Sequence, residues 1–211
     1  MKKKRRFLAA VLAAGMLTGC LGRAGGNALN AESSRIFVKG DGVLQTATVE
    51  TYAEQDYYDV EELKTYLEEA AASYNQNHGE GAVTLDSCSM EKGIATMVFQ
   101  YGTGDDLAGF TAEYEDKANQ VDSIKVSSFS DIYGQSQSEG VVLLKADDKK
   151  KAKADNRALS GKEQSHAVVV ETKNPVTIQT GGKLLFVSDN VVIKDSHTVQ
   201  AAEGKNYIIF K

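Results

Sequence analysis

The chain has 211 residues, 42% of them hydrophobic and 25% charged, with a single proline, a composition that excludes collagenous and disordered classes and suits one folded core or two small ones. Five of its 24 Lys and Arg residues fall within the first six positions; without them 19 basic residues face 29 acidic ones, and the formal charge moves from −5 to −10. So acidic a body repels phosphate, which argues against nucleic acid as a partner.

Lys2, Lys3, Lys4, Arg5 and Arg6 precede an uncharged Ala- and Leu-rich stretch over residues 7–17. A permanent bilayer-spanning helix needs roughly 20 apolar residues, so this stretch fits the apolar region of a signal peptide. Leu17-Thr18-Gly19-Cys20 follows: a large apolar residue, two small ones, then cysteine. The ordered set of basic cluster, apolar run and cysteine resembles the lipobox signal of bacterial lipoproteins. That resemblance implies removal of residues 1–19, a diacylglyceryl group on Cys20, and an extracytoplasmic domain anchored by lipid to the bacterial cell membrane. Residues 20–34, Gly-rich at first and without apolar periodicity, read as a flexible tether that reaches up to about 50 Å when extended. With Cys20 taken by lipid, Cys88 has no disulfide partner in the chain, and its place in a strand pattern suits a small buried hydrophobe.

Residues 35–211 are expected to form an α+β domain, which can subdivide near residues 140–165 into an α/β half and a β-rich half. Residues 35–39 and 43–51 carry β-formers around Gly40-Asp41-Gly42, predicting an opening hairpin. Asp59 caps a predicted helix with Val60, Leu63, Leu67, Ala70 and Tyr74 on one face, ending near residues 77–79. Residues 82–90 and 93–101 alternate around Glu91-Lys92 and predict a second hairpin, with Ala95, Met97, Phe99 and Tyr101 on one face. Thr103-Gly104-Asp105-Asp106 opens a second amphipathic helix whose stripe is Leu107, Phe110 and Tyr114. A short strand is expected over residues 121–126, a Ser- and Gln-rich loop over 127–139 and a buried strand over 141–145. The lysine-rich connection over 147–164 reads as solvated. Short β-type runs at 166–171, 176–179, 183–187, 191–194, 198–201 and 206–210, separated by close turns, predict a C-terminal antiparallel meander.

Chemistry is sparse. His78, His166 and His197 are far apart, without the spacing of a metal site, and Asp105-Asp106 and Asp147-Asp148 lack the alternating oxygens of a calcium loop, so neither a metal nor a cofactor is expected. Ser89-Met90-Glu91-Lys92 and Ser188-Asp189-Asn190 match two motifs of penicillin-recognising enzymes. The first would straddle a hairpin turn instead of opening a helix, and the third motif is absent, so the match is read as chance. Tyr52, Tyr57 and Tyr58 cluster before the first helix and offer a possible contact surface for an envelope protein or a carbohydrate. The sequence therefore points to a membrane-anchored envelope lipoprotein with a non-enzymatic binding or scaffolding domain. Two alternatives stay open: an extracytoplasmic hydrolase assembled in three dimensions, with Cys88, His78 and His166 as first candidates, and a small-ligand-binding lipoprotein, which requires a deep cleft.

Overall fold

A computed structural model describes residues 28–53, 59–147 and 152–211. Its first elements follow the sequence closely. Strands β1 (Arg35–Val38) and β2 (Leu44–Thr51) form the opening hairpin. Helix α1 (Val60–His78) is capped by Asp59, whose carboxylate accepts from the Glu61 amide, and ends at Gly79, where φ of 107° is open to glycine. Strands β3 (Val83–Glu91) and β4 (Ile94–Tyr101) pair around Lys92 and Gly93, both at positive φ (52° and 76°), the backbone that a tight right-twisting hairpin turn demands. Helix α2 (Gly104–Glu113) starts at Thr103, whose hydroxyl accepts from the Asp106 amide. Strand β5 (Ser123–Ser128) follows.

Here the first departure from expectation occurs. The Ser- and Gln-rich stretch expected as a loop is helix α3 (Phe129–Ser138), capped reciprocally by Ser128 and Asp131. Its polar composition hides a short apolar stripe: Phe129 and Ile132 are buried against the sheet behind it. Strand β6 (Leu143–Lys145) follows, and with a single helical turn, α4 (Asn156–Leu159), the described residues hold four helices where two were expected.

The second departure is the C-terminal half. Strands β7 (His166–Thr172), β8 (Val176–Thr180), β9 (Leu184–Ser188), β10 (Val192–Ile193), β11 (Thr198–Ala201) and β12 (Gly204–Phe210) do not form a meander of sequential neighbours. They are divided between two sheets, and only β10 and β11 remain paired sequential neighbours. The seven-stranded sheet runs β10-β11-β8-β1-β2-β4-β3, with β1 and β8 parallel; the five-stranded sheet runs β5-β7-β12-β9-β6. The connections β7–β8 and β8–β9 thus cross from one sheet to the other. Pairing β1 beside β8 also joins the first strand to one from the C-terminal half in the same sheet.

Strand alternation sorts the layers. Ile36, Val38, Ile178 and Val199 of the larger sheet face Val168, Val170, Ile208 and Phe210 of the smaller one, and these side chains form the main core. Helices α1 and α2 close one end of that core through Tyr74, Leu107 and Phe110; the Phe110 ring meets Tyr74 edge-on at 5.5 Å, Phe99 at 5.1 Å and Tyr114 at 4.6 Å. On the other side of the smaller sheet, Ala167, Phe186, Tyr207 and Ile209 pack beneath Phe129 and Ile132 of α3 and Leu159 of α4. The opposite, outer face of the larger sheet carries Phe37, Ala47, Gln179 and Val192 by the same alternation. Phe37 and Ala47 are fully buried although they point away from the core.

Candidate functional site

The three groups of the hydrolase alternative lie in separate regions. Cys88 sits half-buried on β3, paired with Met97 and close to Lys64 and Glu61 of α1. Burial pushes its thiol pKa up and Lys64 offsets only part of that, the opposite of what an activated thiolate needs. His78 lies 14 residues beyond Lys64 on the same helix, about 20 Å along its axis. Its ring stacks flat on Tyr74, with centroids 3.9 Å apart and planes at 5°. His166 is at the start of β7 in the other sheet, with its ring 5.3 Å from Phe210 and against Gly40, where a Cβ would come within 2.7 Å of Nε2. The third histidine, His197, binds the Gly182 carbonyl through Nδ1 at 2.9 Å.

The partial penicillin-enzyme motifs are local structure. Ser89 and Lys92 belong to the β3–β4 hairpin. Ser188 hydrogen-bonds Asn190 and accepts from the Tyr207 amide, while Asn190 donates to the Lys205 carbonyl, so Ser188-Asp189-Asn190 is a turn tied to β12. Asp106 completes the α2 cap as its position implied.

Of the candidate contact tyrosines, Tyr57 and Tyr58 lie outside the described residues, as does the lipidation candidate Cys20. Tyr52 is half-buried where β2 ends, its amide donating to the Gly93 carbonyl. Beside it the Thr51–Ile94 pair puts Ile94, 42% exposed, at the tip of the β3–β4 hairpin. On α1, Tyr66 is half exposed whereas Tyr74 covers the core.

Two side-chain clusters have no counterpart among the sequence expectations. Glu139, just after α3, accepts from Lys205 Nζ at 2.6 Å, from Tyr207 Oη at 2.5 Å and from Gln135 Nε2 at 3.0 Å. The bond from Lys205 is the largest of the effects that hold its carboxyl down at about 2. This cluster fastens the end of α3 to β12. The second is built around Asp116, in the connection from α2 to β5. Asp116 Oδ2 accepts from Thr48 Oγ1 at 2.7 Å and from Asn119 Nδ2 at 3.0 Å, and Asn119 Nδ2 also reaches the Ala47 carbonyl. Asp116 Oδ1 and Asn119 Oδ1 are buried without a hydrogen bond of good geometry. Burial raises the Asp116 pKa, opposed by the bonds from Asn119, Thr48 and the amides of Asn119 and Ala118.

A third feature lies on the outer face of the larger sheet. Gln179, 3% exposed, turns its carboxamide onto the segment that precedes β1: Nε2 donates to the Ala28 carbonyl at 2.8 Å, and Oε1 accepts from the Asn30 amide at 3.0 Å. Both ends of the side chain are used, on residues i and i+2, as a neighbouring strand would use them. The Asn30 side chain then folds back to accept from the Glu32 amide at 2.9 Å, and Ser34 hydrogen-bonds Val49. Part of the segment expected as tether is therefore bound to the domain from Ala28 onward. Among the described residues no helix is long and apolar enough to cross a membrane. Comparison of the chain with protein-family models, with curated proteins and with solved structures finds no match.

Proposed function

We propose that the chain is a bacterial cell-envelope lipoprotein, cleaved before Cys20 and held at the membrane by a diacylglyceryl group on that residue, whose two-sheet domain acts as a binding or scaffolding module. The observation that carries this reading is the ordered run from Lys2 to Cys20, in which basic cluster, apolar stretch and lipobox each stand at the required spacing. The contact between Gln179 and Ala28 supports it: it lies eight residues beyond the cysteine, within chain reach of a bilayer that holds Cys20. The non-enzymatic reading is supported by the distance along α1 between Lys64, which neighbours Cys88, and His78, and by the raised thiol pKa. Tyr52 and the exposed Ile94 at the β3–β4 tip are the surface we assign to a protein or carbohydrate partner.

The test is metabolic labelling with an alkyne fatty acid in a bacterial host. The wild-type chain takes up label and sediments with membranes; Cys20→Ala loses the label and is released or mislocalised. A Cys20→Ala chain that stays in the membrane with its labelling unchanged overturns the reading.

A further inference from the structure

The Gln179 clip changes how the domain can sit on a membrane. If the tether ran free to Ser34, its extended reach of about 50 Å would exceed the width of the domain, and any face could be turned to the bilayer. With Ala28 bound, eight peptide steps separate it from Cys20, with a contour of at most about 28 Å. A compact domain of this length has a radius of gyration of about 16 Å and a diameter of roughly 40 Å. Turning the far side to the membrane would lift the clip by that diameter, farther than the leash extends.

We infer that Gln179, by clipping Ala28 and Asn30 to the outer face of the seven-stranded sheet, shortens the membrane leash and orients the domain, with that outer face toward the lipid headgroups and the α3 layer away from them. The layer order carries the direction. The clip lies on β8, on the outer face; the main core, the five-stranded sheet and then α3 stack behind it. Val192 shares the outer face with the clip, two strands away on β10, and is 46% exposed. Gln137 is exposed on α3 at the opposite side. The clip is built into the domain: Gln179 is buried, both its polar groups are used, and two backbone groups of the N-terminal segment depend on it. The inference rests on the lipid anchor proposed above.

The experiment uses the full chain, processed in a bacterial host, purified and reconstituted into phosphatidylethanolamine–phosphatidylglycerol vesicles carrying a headgroup energy acceptor. In a Cys88→Ser background a donor dye is placed on Val192→Cys or on Gln137→Cys, and vesicle flotation with acyl-mass analysis of Cys20 is run on the same samples. Transfer from Val192→Cys is expected to exceed that from Gln137→Cys at least about twofold, given the width of the domain. Adding Gln179→Ala removes most of the difference. Inserting about sixteen Gly and Ser residues after Arg23 does the same without touching the domain, so the prediction holds even where Gln179→Ala unfolds the chain. Equal transfer from the two positions with the clip intact, or a difference that survives the long insertion, overturns the orientation. A chain that neither floats nor carries an acyl group refutes the anchor itself, which separates the two failures.

Discussion

Replacing glycine by alanine at three positions should give three different outcomes, because the space beside each is different. Gly104 is the first residue of α2, and a Cβ there would stand 1.8 Å from the carbonyl oxygen of Ile124 in β5. Ordinary contact begins near 3.5 Å, so helix and strand must part by about 1.5 Å, enough to forfeit more than about half of the dispersion energy across that seam. Leu107 and Phe110 of the displaced helix are buried in the core, each worth about 1.5 to 3 kcal/mol, and crowding adds about 1 to 3 kcal/mol of strain; the expected loss is about 3 kcal/mol. At Gly109, one turn further, the Cβ would meet Tyr74 Oη at 2.4 Å. That is the tip of a side chain and not backbone, but a buried one, so the cost falls to about 1 to 2 kcal/mol. At Gly134 in α3 nothing lies within 4 Å, and alanine should stabilise the helix by about 0.5 to 1 kcal/mol. Urea denaturation followed by circular dichroism measures all three. The reasoning fails if Gly104→Ala matches the wild-type midpoint and slope, or if Gly134→Ala destabilises.

Asp116→Asn should stabilise the domain in a pH-dependent way. Because burial raises the pKa of Asp116 in the folded state above its ordinary value of 3.8, the unfolded chain releases that proton first; stability is complete below the ordinary value and declines as pH rises through the folded one. The advantage of the variant should therefore grow with pH across that window and then level off, and an advantage constant with pH would refute the assignment. For Cys88, reaction with a disulfide reagent should show a pH–rate midpoint above that of an exposed cysteine, and Lys64→Ala should raise it further, since Lys64 is the group holding the thiol down. A midpoint below that of exposed cysteine would instead revive the nucleophile reading.

The N-terminal half was legible because its signals are local. Asp59 and Thr103 cap helices whose apolar stripes recur at three and four residues, and the turn expected at Glu91-Lys92 lies one residue further on, at Lys92-Gly93. Helix α3 was missed because Ser and Gln dominate its count, although Ser128 with Asp131 and the spacing of Phe129 and Ile132 were present. The C-terminal strands were found one by one but wrongly joined. In β12 the residues from Asn206 to Phe210 are all buried, so alternation, which normally tells a strand which way to face, is silent there. Short turns between such strands suit a hairpin and a crossing between sheets equally well.

The site features were hidden for a different reason. Gln179 is one of three polar residues in the short strand β8, and its partners Ala28 and Asn30 are backbone groups about 150 residues away, without any side-chain pattern to betray them. Backbone recognition leaves no mark on the recognised sequence, so a segment can read as tether and still be bound. The proposed lipobox is the reverse kind of signal, one carried wholly by the local order of residues from Lys2 to Cys20. On the proposed function, the cysteine sets where the chain is held and the clip sets how far the domain can move from that point, with the α3 side turned away from the membrane and the β3–β4 tip, carrying Ile94, at the edge of the larger sheet.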